Sequence, residues 1–189
     1  MYKDSWKMIQ IITYLLQKEG TINYVKLLKL IYFADKFHLN KYWDLITWDT
    51  YYAMKMWPVA SSVYDIIKIP EKFNYNSKKL PFQLKEWSYN LVVVKKIQNF
   101  DHLSQIEKES LDLIYERFWK ISKKDLINLT HEYNEWKKYQ NNVNWWWRAE
   151  MNIFDFFEDS KWQDSIFDMP KDRVEITKDL YSEKLEYEI

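Results

Sequence analysis

Apolar positions recur at helical spacing along most of this 189-residue chain. Trp6, Ile9, Thr13 and Leu16 fall at steps of three and four, with Ile12 and Leu15 widening the stripe. That pattern predicts an amphipathic helix over residues 5–19. Gly20 follows where a left-handed C′ residue belongs, and Thr21 to Asn23 offer capping oxygens for a second helix. Residues 23–41 carry the strongest signal. Leu27, Leu28, Leu30, Ile31, Phe33, Ala34 and Phe37 cover most of the helical circumference, which predicts a central helix. Lys26, Lys29, Phe33, Lys36 and Asn40, at steps of three and four, then read as one narrow basic edge.

The period changes after residue 43. Leu45-Ile46-Thr47 and Thr50 to Met54 read as two short strands around a Trp48-Asp49 turn, ended by Trp57-Pro58. A helix is predicted from Pro58–Ser62 to about Lys68, followed by a polar loop from Pro70 to Lys79. Residues 82–86 and 89–97 form a second candidate hairpin around Trp87-Ser88, with the β-branched run Val92-Val93-Val94 favouring a strand. Ser104 with Glu107 has capping-box spacing and predicts a helix to about Phe118, its face marked by Ile106, Ser110, Leu113 and Ile114. Ser122 with Asp125 predicts another helix start, running into His131-Glu132. Residues 141–147 read as a loop and 149–158 as a short aromatic helix. The fold expected is α+β and predominantly α-helical: a helical core with one or two small antiparallel hairpins. Residues 1–160 form the main domain, and 161–189 a charged C-terminal tail or helix.

Composition narrows the functional classes. Lys+Arg and Asp+Glu number 28 each, so no overall field draws the chain to nucleic acid or marks it as a DNA mimic. Cysteine is absent, which excludes disulfides, thiol catalysis and zinc–thiolate sites and fits a reducing cytoplasm. No signal peptide is read at the N-terminus, and no run approaches the roughly 20 apolar residues of a membrane span. A cytoplasmic location is expected.

Tryptophan and glycine have exchanged frequencies. The chain has 11 Trp and 1 Gly, where about 7% glycine is ordinary. Many of the tryptophans occupy turns and helix ends, where a positive φ is needed and glycine supplies it without steric cost. The UGA codon is read as tryptophan in some bacterial lineages and as glycine in others. On this reading Trp43, Trp48, Trp57 and Trp119 stand for glycine, joined by Trp87 and some of 145–147. Trp136 remains a tryptophan, and Trp6 and Trp162 are left open.

Enzyme signatures are sparse. His131-Glu132 is the most enzyme-like pair and would serve a general base, yet the same pair can lock a helix end. The other histidines, His38 and His102, are remote in sequence, and no HExxH or comparable ligand spacing accompanies them, so no metal is expected. Even with every Trp converted to Gly, no GxxxxGK[ST] or GxGxxG appears, so phosphate-loop and dinucleotide cofactors are not expected. The Lys26/Lys29/Lys36 edge could touch phosphates, and 122–136 could form part of a helix-turn-helix. A basic stripe on a neutral chain is more often a solvated helix face.

Three stretches share a pattern: Val25-Lys26-Leu27-Leu28-Lys29-Leu30-Ile31-Tyr32-Phe33-Ala34-Asp35; Ile46-Thr47-Trp48-Asp49-Thr50-Tyr51 with Ala53-Met54-Lys55-Met56-Trp57-Pro58-Val59; and Ser61-Ser62-Val63-Tyr64. Together they resemble the Panacea domain family of SocA-like antitoxins and GepA-like phage-associated proteins. Leu129 to Trp136 is similar to its second signature. The likeness spans about residues 5–157 and is strongest over 22–68. Family glycines fall on Trp43, Trp48 and Trp57, and Ala60 stands where the family often has proline. The residues that match the motif are Lys26, Lys29, Tyr32, Asp49, Met54, Pro58, Tyr64, His131, Glu132 and Trp136. The resemblance implies a non-enzymatic antitoxin, bound to a cognate protein toxin encoded nearby and in one relative delivering it to a ClpXP-type protease. Two alternatives stay open: a DNA-binding regulator of its own operon, and a hydrolase using His131 and Glu132.

Overall fold

The axis of the fold is the central helix. The computed structural model describes residues 4–55, 57–142, 147–159 and 164–187. Within them lie seven α-helices: α1 (Ser5–Glu19), α2 (Tyr24–Tyr42), α3 (Ser61–Lys68), α4 (Gln105–Phe118), α5 (Lys123–Glu132), α6 (Asn134–Lys137) and α7 (Lys171–Tyr187). Six strands join them: β1 (Thr21–Asn23), β2 (Tyr51–Met54), β3 (Trp57–Ala60), β4 (Phe82–Leu84), β5 (Asn90–Val93) and β6 (Ala149–Glu150). They form two antiparallel sheets, ordered β1-β5-β4 and β3-β2-β6. The expected α+β, mainly helical class is what the chain adopts.

Local chemistry fixes the helix ends. The Asp4 carboxylate accepts from Lys7 N at 3.0 Å and starts α1, while Gly20 ends it at φ 73°, its N–H on Leu16 O at 2.8 Å. Asn23 caps α2 through Val25 N at 3.1 Å. The predicted capping box of α4 is present: Ser104 Oγ accepts from Glu107 N, and the Glu107 carboxylate accepts from Ser104 N. Ser122 caps α5 in the same way through Asp125 N.

Helix α2 packs against α1, α4, α5, α7, strand β3 and the 3-10 turn Ile153–Phe157. Its apolar residues from Val25 to Leu39 are buried. Phe33 stacks on Phe118 at 4.5 Å between ring centres, and both lie against Phe167. Burial of this aromatic layer adds to the apolar driving force, about 25 cal/mol per Å² of surface removed from water.

Several elements depart from the sequence reading. Leu45 and Ile46 are core plugs rather than strand residues, because Thr47 N–H is bound to the Asp35 side chain instead of a ladder partner. The hairpin is β2–β3, one segment later, and Pro58 lies inside β3 opposite Ala53 rather than opening α3. Residues 21–23, capping sequence by their type, also form strand β1, whose three residues pair with β5. Residues 149–158 form β6 and a 3-10 turn, since Ala149 and Glu150 complete the sheet on β2. The inward face of α4 is Ser110, Leu111, Ile114 and Phe118, whereas Ile106 and Leu113 face outward. Residues 171–187 are helical. Trp145, Trp146 and Trp162 lie outside the described residues.

Candidate functional site: a buried polar latch and a basic aromatic end

The polar stripe of α2 does not form a solvated edge. Lys29 and Lys36 are fully buried and Asn40 nearly so, while Lys26 is half-buried. The reason is the helix's position: an element enclosed on every side turns even its polar stripe inward. Lys36 Nζ lies 2.8 Å from Glu135 Oε1 and donates to Phe156 O at 2.9 Å. Tyr32 Oη donates to the same Glu135 oxygen at 2.5 Å, and Asn40 Nδ2 donates to Phe156 O. Burial holds the Lys29 ammonium well below the usual lysine range, and burial beside Glu135 holds the Tyr32 phenol well above its own. Lys26 donates to Trp119 O and sits 4.2 Å above the Trp119 ring. The stripe therefore offers no row of free lysines to a phosphate backbone.

Asp35, one residue before Lys36, pins the segment after α2. It accepts from Thr47 N at 3.0 Å, from Thr47 Oγ1, and from Tyr51 Oη at 2.7 Å. Burial pushes its carboxyl up to about 6 against the lowering effect of those donors. Asp49 does a related task for α3. Its Oδ2 accepts from Ser62 N at 2.6 Å and Val63 N at 3.0 Å, and its Oδ1 accepts from Thr50 N. Residue 60 is alanine and cannot cap α3, so the carboxylate is supplied from eleven positions upstream.

The second signature closes over the hairpin. Trp136 Nε1 donates to Met54 O at 3.1 Å. His131 stacks on the Trp136 ring at 3.8 Å between centres and 16° between planes. Glu132 is exposed and pairs with Lys137 at 2.9 Å. This geometry engages His131 and Glu132 in separate contacts: one holds the tryptophan, the other tethers α5 to α6.

The candidate residues divide accordingly. Lys29, Tyr32, Asp49, Pro58 and Trp136 are buried. Lys26, Met54, Tyr64 and His131 are partly exposed, and Glu132 is exposed. Lys29, Tyr32, Met54, His131 and Trp136 belong to the elements that meet around α2 and the hairpin, whereas Tyr64 lies on α3 beside Tyr24, 6.3 Å between ring centres. Asp35, Thr47, Tyr51 and Glu135 are not among the candidates read from the sequence, and Lys36 enters there only as part of the basic edge. The signal lay in single charges inside apolar context, Asp35-Lys36 after Phe33-Ala34 and Glu135 before Trp136. A lone charge in such a run is buried at a cost unless paired.

Tyr64 leads to a second, exposed region. Tyr24 and Tyr89 rings lie 5.6 Å apart, with Lys68 Nζ 4.3 Å from Tyr24 and Lys123 Nζ 6.0 Å from Tyr89. A surface hollow of about 610 Å³ is lined by Tyr24, Lys68, Leu84, Lys85 and Tyr89, among others. It adjoins a hollow of about 550 Å³ that shares Lys68, Leu84 and Glu86. Residues 61–98, which form most of this end, hold seven lysines against three carboxylates in a chain with no net charge overall.

Among the described residues no group of three His, Cys, Asp or Glu could hold a metal ion, and no helix is long and apolar enough to cross a membrane. A helical α+β domain, with buried charges joining its central helix to a hairpin, is the class these observations define. The family model for the antitoxin SocA-like, Panacea domain matches residues 27–137, more than half of the chain, and the chain belongs to that family. No curated protein and no solved structure gives a significant match.

Proposed function

We propose that this chain is an antitoxin that neutralises a cognate protein toxin, encoded beside it, by direct binding. The observation that carries the reading is the family match across α2, both hairpins, α4 and α5. The mechanism is occlusion of the toxin's working surface, which asks for no bond-making by this chain. Since half of the signature side chains are committed to the interior, the contact face is placed where aromatic and cationic groups remain accessible. That face is the end bearing Tyr64, Lys68, Lys85 and Tyr89. Tyrosine and cationic side chains around a hollow suit an acidic, partly apolar surface on the partner. Delivery of the bound toxin to a ClpXP-type protease is a compatible outcome of the same contact.

Co-expression tests the reading. The adjacent reading frame should arrest growth alone, and this chain should restore growth and co-purify with its product. If growth arrest persists with both proteins folded and no complex forms, the antitoxin reading fails.

A further inference from the structure

We propose that positions 43, 48 and 87 are glycine in the living protein, their codons being UGA assigned to glycine. The backbone carries this inference. Among the described residues four non-glycine positions have positive φ: Asn74 at 61°, Trp43 at 53°, Trp48 at 51° and Trp87 at 56°. Asparagine is a residue type that tolerates the left-handed region, because its short amide can bond locally. Tryptophan has a Cβ that crowds the neighbouring carbonyl there and no compensating local bond.

Position 43 supplies an internal comparison. Its N–H bonds to Leu39 O at 2.9 Å and closes α2. Gly20 closes α1 in the same way, with N–H to Leu16 O at 2.8 Å. The one glycine written in the sequence and the tryptophan at 43 thus perform the same left-handed cap. Position 87 forms the β4–β5 turn, and its ring lies wholly in solvent. Position 48 forms the turn that delivers Asp49 to α3, with its ring lying 4.0 Å from Lys184 Nζ.

The other tryptophans set the contrast. Trp136 is buried, stacked on His131 and bonded through Nε1, a role that needs the indole. Trp119 sits in the right-handed helical region at φ −58° and stacks on Tyr115. Its geometry asks for no glycine, which narrows the expectation drawn from the sequence. The inference also removes Trp87 from the side chains lining that hollow, leaving Tyr24, Tyr89, Lys68, Lys85 and Glu86 as its ring-bearing and charged groups.

Two measurements test the proposal. The nucleotide sequence should read UGA at codons 43, 48 and 87 and UGG at 136; UGG at the first three would overturn it. In the purified chain, Trp87→Gly should raise the melting midpoint, whereas Trp87→Ala, which removes the ring but keeps a Cβ at positive φ, should raise it less. An equal effect of the two variants would mean that the exposed ring, rather than the backbone, is the liability, and would overturn the structural argument.

Discussion

The two halves of the candidate site differ in what their charges do. Around α2, Lys36, Glu135, Asp35 and Asp49 are buried and hold one another or a helix end. At the β4–β5 end, Lys68 and Lys123 lie over tyrosines and, with the exposed Lys85, reach solvent. The first region is costly to disturb and out of reach of a partner. The second keeps its lysines at the surface, where single charges add little to stability, and is accessible. The difference teaches that a motif can identify a family while its residues mostly build the scaffold, so motif membership alone does not locate an interface.

Breaking the buried pair should produce the largest effect. Glu135→Leu strands Lys36 and Tyr32 without their shared acceptor and should cost about 4 kcal/mol in denaturant unfolding. Glu135→Leu with Lys36→Met should recover much of that loss, since a well-packed apolar pair replaces an ion pair at little net cost. If the double variant is no better than the single, the pair is not the stabilising unit.

A pH experiment separates Asp35 from its surroundings. Asp35 is raised to about 6 by burial, so its contribution to stability is present below its ordinary range and lost as pH rises through 6. His38 is lowered to about 4, chiefly by burial, so its contribution is lost as pH falls from its ordinary range toward 4. The two slopes oppose one another between pH 4 and 6. Asp35→Asn should therefore leave a protein whose stability falls more steeply on acidification across this window, by on the order of 2 kcal/mol. An unchanged slope in thermal melts at pH 4, 5 and 6 would show that Asp35 is not titrating there.

Asp49→Ala removes the borrowed cap of α3, leaving Ser62 N and Val63 N without their acceptor. The expected cost is about 2 kcal/mol. Amide exchange should quicken first in α3; uniform quickening across the chain would contradict a local cap. The smallest effect on stability belongs to the exposed end. Lys68→Glu with Lys85→Glu should change the unfolding free energy by no more than about 0.5 kcal/mol per site, yet weaken a complex with an acidic partner surface and make the remaining affinity less sensitive to salt.

How much of this was legible in the sequence follows the same divide. The helices α1, α2, α4 and α5 were readable because periodicity and caps agree: Gly20, Asn23, Ser104 and Ser122 each do the local job their type suggests. The hairpin after α2 was misplaced because Thr47 and Asp49 use side-chain bonds across the fold, and strand propensity sees neither. The spacing of the α2 lysines identifies a face without saying what it meets. Glu135, 99 residues after Lys36, is the information that was missing. At the other end only Tyr64 belongs to the motif, and Tyr24, Tyr64 and Tyr89 converge only once β5 has paired with β1.

Hydrogen exchange on the complex with the adjacent gene's product tests the central claim most directly. The account predicts slowed backbone exchange at residues 64–68 and 85–90, with the amides of α2 unchanged. Protection confined to 123–142, with 85–90 exchanging as in the free chain, would contradict the assignment of the contact face while leaving toxin binding intact.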